Sequence, residues 1–372
     1  MKIGILGCGI AGSFLAYFLK RRGADVVCIS ERREYPSVGL IQSLMQKFEE
    51  DIEMARRTRQ LYAETARELE IDDWCREVRS YTVVHQDREK ILRELASRWS
   101  SAGAVVRFLG ENENLPFRIY ENEIVLICEN DLLVRIDKIV SELWKILNVR
   151  KARGYIKLSN GKPRIVAGNE VYDVDIVVVA CGAWTRKVLQ SIGIENIPFI
   201  PYKCQAGVFA LSTSDDMYIL YDYVNRIYVR PAPHVVTGII SKLSGTKIMI
   251  AGNGNTPPMD PDESDSVEPW FRNDVEPKLR KRYDKVHYIM GHAGFCDVTP
   301  DSKPAIGKVR EWLYVISGFD GYGAEVGPAV AEALSKLILG EKLTELESRY
   351  LIDRFSGRAL KLEVPQVEAH EL

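Results

Sequence analysis

Residues 1–31 constrain the fold more than any other part of this chain. A short apolar run, Ile3 to Leu6, leads directly into Gly7-Cys8-Gly9-Ile10-Ala11-Gly12, which has the spacing G-x-G-x-x-G. The residues after it, up to Arg22, place their large apolar side chains on one helical face, and a second apolar run follows at 24–31. This order predicts a buried parallel strand, a glycine turn, a helix and a second strand.

The three glycines of this turn have separate mechanical roles. Gly7 permits the tight turn, Gly9 lets the backbone approach a pyrophosphate, and Gly12 lets the helix pack close to the strand. The phosphates then face the free N–H groups and the positive dipole end of the helix. Glu31 lies 19 residues after Gly12, at the end of the second strand, where a carboxylate can accept hydrogen bonds from an adenosine ribose. The segment therefore predicts dinucleotide binding, with NAD and FAD both open at this point.

Composition excludes several other classes of protein. The 372 residues include 50 Lys and Arg against 52 Asp and Glu, so the net charge of −2 favours neither nucleic acid nor an anionic membrane as a partner. Seven cysteines occur without CxxC spacing, which predicts reduced thiols, no disulfide framework and no metal site. No apolar run is long enough to span a membrane, and no signal peptide precedes the first strand. We therefore expect a cytoplasmic protein that is not membrane-spanning.

Three later segments carry further motifs. The strand "IVVV" at 176–179 ends in the small residues of "ACGAW", and "AGFCDVTPDSKPAIG" at 293–307 places a Thr-Pro-Asp turn before a small apolar strand. The segment "GFDGYGAEVGPAVAEAL" at 318–334 is a glycine turn that leads into an amphipathic helix, which we predict to begin around Pro328. A second glycine turn before a helix predicts a second place where backbone N–H groups can bind an anion.

Taken in this order with the N-terminal fingerprint, these segments resemble the D-amino-acid oxidase family of flavoproteins over nearly the whole chain. That family includes glycine oxidase, sarcosine oxidase and the flavin subunits of proline and dimethylglycine dehydrogenases. The resemblance implies FAD as the cofactor, with its adenosine half on the N-terminal unit and its flavin near residues 37–43 and the glycine turn at 318–325. Some relatives attach the flavin through a cysteine five residues before the Thr of Thr-Pro-Asp. Gly294 occupies that place and no histidine precedes His85, so we expect non-covalent FAD.

The predicted FAD contacts fall on small residues and on the ends of strands. They are Gly7, Gly9, Ile10, Ala11, Gly12, Glu31, Arg32, Gly39, Leu40, Val149, Ala180, Gly182, Trp184, Gly294, Gly318, Gly321, Tyr322, Gly323 and Ala324.

The predicted fold class is α/β. A discontinuous Rossmann-type FAD-binding domain (1–75, 130–200 and 293–372) is joined to an α+β substrate domain (76–129 and 201–292). The substrate domain should be built on a mostly antiparallel sheet, because its second section alternates apolar residues with aromatic strand formers.

The substrate pocket is predicted to be lined by the second section of the substrate domain. Tyr228 and Arg230 in "IYVRPA" are candidates, because an arginine beside an apolar strand is unfavourable to bury unless a substrate carboxylate pairs with it. Cys296 stands where glycine-oxidase-like relatives have a carboxylate-binding arginine, and Glu325 stands where monomeric sarcosine oxidases have a lysine. Either Arg230 replaces both cations while Glu325 points elsewhere, or Glu325 faces the nitrogen of a larger or more basic amine and Cys296 leaves space for it. A redox-active Cys296 is a third alternative, although no basic neighbour in sequence would lower its pKa.

Three functions remain open from the sequence. The first is oxidation of the C–N bond of an amine or amino acid, by resemblance a secondary amine such as proline or an N-methyl amino acid. The second is oxidation of the C–O bond of a hydroxy acid or polyol phosphate. The third is a flavoprotein subunit that is active only with partner subunits, so a partner subunit or a homo-oligomer is also open.

Overall fold

The computed structural model describes residues 1–31, 39–111, 113–232, 245–263 and 266–357. Arg32, one of the predicted FAD contacts, lies outside the described residues. None of the helices within those ranges is long and apolar enough to cross a membrane. The described chain forms three β-sheets with helices packed between and around them.

The first sheet has six strands and contains the N-terminal fingerprint. In spatial order its strands are β17 (Ala305–Arg310), β18 (Leu313–Ser317), β11 (Ile176–Val179), β1 (Lys2–Leu6), β2 (Asp25–Ser30) and β7 (Arg150–Lys151). All neighbours are parallel except β17, which pairs antiparallel with β18. The buried run of β11 lies between β1 and β18, as expected for a central strand whose two faces are both covered by protein.

Helices cover this sheet. They are α1 (Ile10–Arg21), α2 (Glu49–Glu68), α4 (Ile136–Leu147), α5 (Thr185–Gln190), α7 (Gly323–Ile338) and α8 (Glu345–Ser348). The helix α7 packs against α1 and α2, and α1 also packs against α4. Our prediction that α7 begins around Pro328 was wrong. The helix begins at Gly323 and contains Pro328 within its second turn, where the proline has no N–H to make the i→i−4 backbone hydrogen bond.

The second sheet has nine strands and is mostly antiparallel. Its strands in spatial order are β16 (Val286–Val298), β12 (Ile200–Leu211), β15 (Lys247–Pro258), β14 (Ile227–Pro231), β13 (Tyr218–Asp222), β4 (Cys75–His85), β6 (Glu123–Val134) and β3 (Leu40–Gln42), with β5 (Val106–Phe108) beside β6. The pair β4–β13 is parallel and the other pairs are antiparallel. Two further helices accompany this sheet, α3 (Glu89–Ser101) beside β5 and α6 (Pro269–Arg282) beside β16. The predicted fold class is thereby confirmed.

All four predicted domain borders fall within strands of this sheet, and those at 75/76 and 200/201 lie after the first residue of β4 and of β12. The border at 129/130 lies inside β6, and the border at 292/293 lies inside β16. The strand β6 continues through the polar residues Glu129 to Asp131 because the buried Asp131 carboxylate accepts a 2.7 Å hydrogen bond from Ser80 on β4. These strands pass the predicted borders without interruption, and the division of the chain into two domains stays a prediction.

A third, small sheet follows α4 along the chain. It consists of β8 (Gly154–Ser159), β9 (Lys162–Ala167) and β10 (Glu170–Asp173), all antiparallel. The hairpin between β8 and β9 turns at Asn160 and Gly161, which both have positive φ, as a two-residue type I′ turn requires. Ile165 of β9 contacts Gly4 of β1, so the small sheet lies against the six-stranded sheet.

A buried ion cluster holds one end of the nine-stranded sheet. Arg282, the last residue of α6, is 0% exposed and binds two carboxylates. Its Nε and Nη2 donate to Asp222 at 2.7 and 2.8 Å, and its Nη1 and Nη2 donate to Glu123 at 2.6 and 3.0 Å. Asp222 ends β13 and Glu123 begins β6, so one guanidinium joins two strands and a helix.

Candidate functional site

The glycine turn after β1 has the geometry that a dinucleotide phosphate requires. Gly7 has φ +90°, and a Cβ on it would lie 2.3 Å from the Ala180 carbonyl oxygen. A Cβ on Gly12 would lie 2.0 Å from the Gly7 carbonyl oxygen, so any side chain there would push α1 away from the strand. No side chain caps the N-terminus of α1 at Gly9, so its first N–H groups, which include those of Ile10 and Ala11, are left for a ligand.

The surroundings of this turn are fixed by hydrogen bonds. Ser30 accepts a 3.1 Å bond from the Cys8 N–H, and the Trp144 indole N–H donates to the Cys8 carbonyl at 2.8 Å. Glu31 follows β2 directly and is exposed, and Val149 lies half-buried just before β7, the neighbour of β2. This arrangement places a carboxylate and an apolar side chain at the strand ends where an adenosine would lie, so the residues present fit the adenosine diphosphate half of FAD.

The second glycine turn, residues 318–322, leads into the N-terminus of α7. Gly318 and Gly321 have φ +83° and +85°, and a Cβ on Gly321 would meet open space. No side-chain hydrogen bond caps α7 at Tyr322, so the N–H groups that begin at Gly323 and Ala324 are open to a ligand, as the flavin edge would require. The Tyr322 hydroxyl instead donates to the Ser302 carbonyl at 3.0 Å, which ties this turn to the Thr-Pro-Asp turn.

Asp297 holds this second turn in place, and the sequence analysis did not identify it. Its Oδ2 accepts hydrogen bonds from Ser317 Oγ at 2.6 Å and from the Gly318 N–H at 2.8 Å. Burial raises the pKa of Asp297 to about 6, although both donors favour the carboxylate. The only sequence signal is an acidic residue in a strand of small and apolar residues. Asp301, two residues beyond Thr299, bonds Arg354 and caps its own turn.

The remaining predicted contacts lie around these two turns. Ala180 and Gly182 follow β11, and Trp184 donates to Asp262 at 2.8 Å and packs edge-on against Phe295. Gly39 has φ +101°, and its carbonyl accepts a 3.2 Å bond from Arg230 Nη1, while Leu40 begins β3. Gly294 has open space where a Cβ would be. The glycines, Leu40 and Ala180 thus border the two turns or the face described next.

One face of the nine-stranded sheet brings the predicted substrate residues together. Tyr228 and Arg230 are two residues apart on β14, so their side chains point to the same face of the sheet. Tyr221 of β13 lies directly opposite Tyr228. The Tyr228 ring crosses Gly252 of β15, where a Cβ would lie 2.6 Å from the Tyr228 hydroxyl.

Burial and neighbouring charges shift the pKa values of side chains on this face. Burial lowers the pKa of Arg230, and the described part of the chain supplies no carboxylate partner for its guanidinium. Burial also raises the pKa of Tyr221, and the charges of Asp131 and Glu325 raise it further. Glu325 lies in the first turn of α7, directly after the second glycine turn, and α7 contacts β3 of the same sheet.

The prediction that every cysteine is reduced was wrong. The structure pairs Cys204 of β12 with Cys296 of β16 in a disulfide whose Cα atoms are 6.2 Å apart. The two cysteines are 92 residues apart in sequence, and only the antiparallel register of β12 and β16 brings them together. Cys296 is therefore not a free thiol. In the alternative in which Cys296 leaves space for the substrate, that space is now bordered by the Cys204–Cys296 disulfide and not by a lone thiol.

Glu31 offers a direct test of the predicted adenosine site. We expect Glu31→Ala to fold but to bind FAD about 10- to 100-fold more weakly, because a carboxylate–hydroxyl hydrogen bond contributes about 1.5–3 kcal/mol. The measurement is the FAD dissociation constant from flavin fluorescence after dialysis. Asp25→Ala, at the exposed opposite end of β2, is the control and should bind FAD normally. Equal FAD binding by both variants would contradict the predicted role of Glu31.

Two glycine turns before helices, on a mostly parallel sheet beside a large mixed sheet, define a dinucleotide-binding fold. Comparison with known proteins is more specific, because residues 2–337 match the family DAO, described as FAD dependent oxidoreductase. The chain therefore belongs to the DAO family and is an FAD-dependent oxidoreductase.

Several relatives extend over almost the whole chain. A D-proline dehydrogenase from Pyrobaculum islandicum is 24% identical over 381 residues, which cover 92% of this chain and 96% of the relative. The crystal structure of L-proline dehydrogenase from P. horikoshii matches with a TM-score of 0.74 at 20% identity, over 95% of this chain and 97% of that one. Glycine oxidase from Geobacillus kaustophilus matches with a TM-score of 0.72 at 15% identity, over 92% and 95% of the two chains. These structures have the same fold as this protein.

Proposed function

We propose that this protein oxidises the C–N bond of an amino acid, most closely a secondary amine such as proline or an N-methyl amino acid. The observation that carries the proposal is Arg230, a half-buried guanidinium without a described carboxylate partner on the face that also carries Tyr228. A partly desolvated cation of this kind is stabilised when a substrate carboxylate pairs with it. The similarity to D-proline dehydrogenase over 92% of the chain supports the amino-acid class.

The chain's own residues would bind and orient the substrate. Bound FAD supplies a two-electron acceptor for the substrate carbon–nitrogen bond. Arg230 binds the substrate carboxylate, and the neighbouring rings of Tyr228 and Tyr221 cover the substrate and exclude water. The hydrogen bond from Arg230 to the Gly39 carbonyl fixes the guanidinium, so the carboxylate is held in one orientation relative to the two glycine turns.

A substrate panel with a redox dye tests this proposal. The purified FAD-loaded enzyme should bleach the dye with one or both enantiomers of proline or with an N-methyl amino acid of larger side chain. Glycine and sarcosine should be poor substrates. Turnover of a hydroxy acid or polyol phosphate with no turnover of any amine would reject the proposal. Activity that appears only after a partner protein is added would instead identify a subunit of a larger enzyme.

FAD should be bound without a covalent link. The place at which some relatives carry a tethering cysteine is Gly294, and the nearby Cys296 sulfur is already bonded to Cys204. We expect acid or heat denaturation to release the yellow colour into the supernatant, and the intact polypeptide mass to equal that of the sequence. Colour that stays with the precipitated protein, together with an added mass of one flavin, would contradict this prediction.

Glu325 is proposed to face the substrate nitrogen. Its charge raises the pKa of the Tyr221 hydroxyl, which supports a position beside the face that carries Arg230. We expect Glu325→Gln to lower kcat/KM for the best amine by tenfold or more, about 1.4 kcal/mol of transition-state stabilisation. Glu341→Gln, an exposed residue just after α7, is the matched control and should keep wild-type kinetics. Unchanged kinetics in Glu325→Gln, or brisk turnover of glycine or sarcosine by the unaltered enzyme, would count against this role.

A further inference from the structure

The Cys204–Cys296 disulfide lies on the same face of the nine-stranded sheet as Tyr228 and Arg230. Ala206 of β12 occupies the same cross-strand row as Tyr228, through Gly252 of β15. Cys204 is two residues along β12 from Ala206, so its side chain points to that face as well. Cys204 lies two strand spacings across the sheet and two residues along it from the row of Tyr228, a distance of about 12 Å, and Cys296 lies one strand further away on β16.

The disulfide also adjoins the second glycine turn. Tyr202, the cross-strand partner of Cys296, donates its hydroxyl hydrogen to Asp320 at 2.5 Å. Asp297, the next residue after Cys296, accepts the hydrogen bonds that hold Ser317 and Gly318. The segment that leads into the N-terminus of α7 is thus fixed by the immediate neighbours of one of the two sulfur-bearing residues.

Cys204 and Cys296 differ from the free cysteines because they are bonded to each other and lie beside open space. Cys204 and Cys296 are both half-buried, and Gly294, the cross-strand partner of Cys204, has open space where a Cβ would be. By contrast, burial raises the pKa of Cys128 and of Cys181 to about 12, which keeps those thiols protonated and unreactive. The partial exposure of the paired cysteines and the open space at Gly294 therefore favour redox chemistry at this pair.

We propose that Cys204 and Cys296 form a second two-electron centre that exchanges electrons with the bound flavin. The disulfide takes up two electrons and two protons from the reduced flavin, the S–S bond breaks, two thiols form and the flavin is left oxidised. Two substrate molecules then transfer four electrons to each protein molecule, two of which reside on the thiols and two on the flavin. The inference uses the proposed function only as the source of these electrons.

A reductive titration tests the second centre without any substrate. The FAD-loaded protein is titrated with dithionite under anaerobic conditions and then alkylated with iodoacetamide, and the labelled peptides are identified by mass. The unaltered protein should take up four electrons per flavin, with label appearing at Cys204 and Cys296 only after reduction. Cys204→Ser should take up two electrons per flavin, and Cys75→Ser, a half-buried cysteine on β4, should still take up four. In protein freed of FAD, the same dithionite should leave the pair unlabelled.

Uptake of only two electrons by the unaltered protein would overturn the inference. It would also be overturned by label at Cys204 and Cys296 before reduction, or by equal labelling without FAD. A parallel sample receives the best amine instead of dithionite. If dithionite gives four electrons while every amine leaves the flavin oxidised, the proposed function fails and the second centre stands. If the amine reduces the flavin but the pair stays unlabelled in both samples, the second centre fails and the proposed function stands.

Discussion

Replacing Arg230 with methionine is expected to lower kcat/KM for the best amino-acid substrate by about 30- to 1,000-fold, about 2–4 kcal/mol. Methionine fills a similar volume but has no charge. A substrate carboxylate that binds beside residue 230 would therefore lose its water shell without gaining a partner. The larger change is expected in KM, because the carboxylate contact is made in the bound substrate as well as in the transition state. The measurement is steady-state kinetics with a redox dye.

Three comparisons make this result specific. Arg230→Lys keeps the charge without the planar fork and should recover part of the lost activity. Arg272→Met removes a surface guanidinium whose side chain is 58% exposed and should leave the kinetics unchanged. The flavin absorbance spectrum and the unfolding midpoint of each variant show whether the protein is intact. Wild-type KM and kcat in an intact Arg230→Met enzyme would remove Arg230 from the proposed site.

The second large effect concerns stability rather than catalysis. Arg282→Met should lower the free energy of unfolding by about 3–5 kcal/mol, because it leaves buried carboxylates without their counter-charge. The side chains of Asp222 and Glu123 are 0% and 2% exposed, and both bind the same guanidinium. The measurement is the denaturant midpoint of the FAD-loaded protein, followed by circular dichroism.

Arg280 provides the matched control for Arg282. It lies two residues earlier on α6, its side chain is 52% exposed, and it pairs with Glu276 on the same helix. An exposed pair of this kind contributes about 1 kcal/mol or less, so Arg280→Met should change the midpoint little. Equal midpoints for the two variants would show that the buried cluster does not stabilise the fold.

The parts of the site that were predictable from sequence are those in which consecutive residues determine the geometry. The spacing of Gly7, Gly9 and Gly12 between a strand and a helix specifies the first turn, because Gly7 and Gly12 each meet a steric limit set by residues within the same unit or beside it. The run at 176–179 was recognisable as a central strand because all four of its residues are apolar, as a strand buried on both faces requires. Likewise, alternation along β14 was enough to place Tyr228 and Arg230 on one face.

The features that sequence analysis missed depend on contacts between distant segments. Cys204 and Cys296 meet only through the register of β12 and β16. Arg282 lies in the run Arg280-Lys281-Arg282, which looks like a solvated helix end, yet one of its three cations is fully buried. Asp297 resembles any acidic residue near a turn until the fold places it against Ser317.

The strand order of the six-stranded sheet has a consequence for how the protein is made on the ribosome. Ile3 of β1 pairs with Ile176, and β11 in turn pairs with Leu313 to Val315 of β18. The N-terminal strand and helix therefore leave the ribosome long before their neighbours exist, since translation releases the chain from its N-terminus. The second glycine turn, at 318–322, emerges after all six strands of this sheet. A nascent chain can thus enclose the whole cofactor only once this turn has emerged, and until then its apolar central strands lack the neighbours that protect them from aggregation.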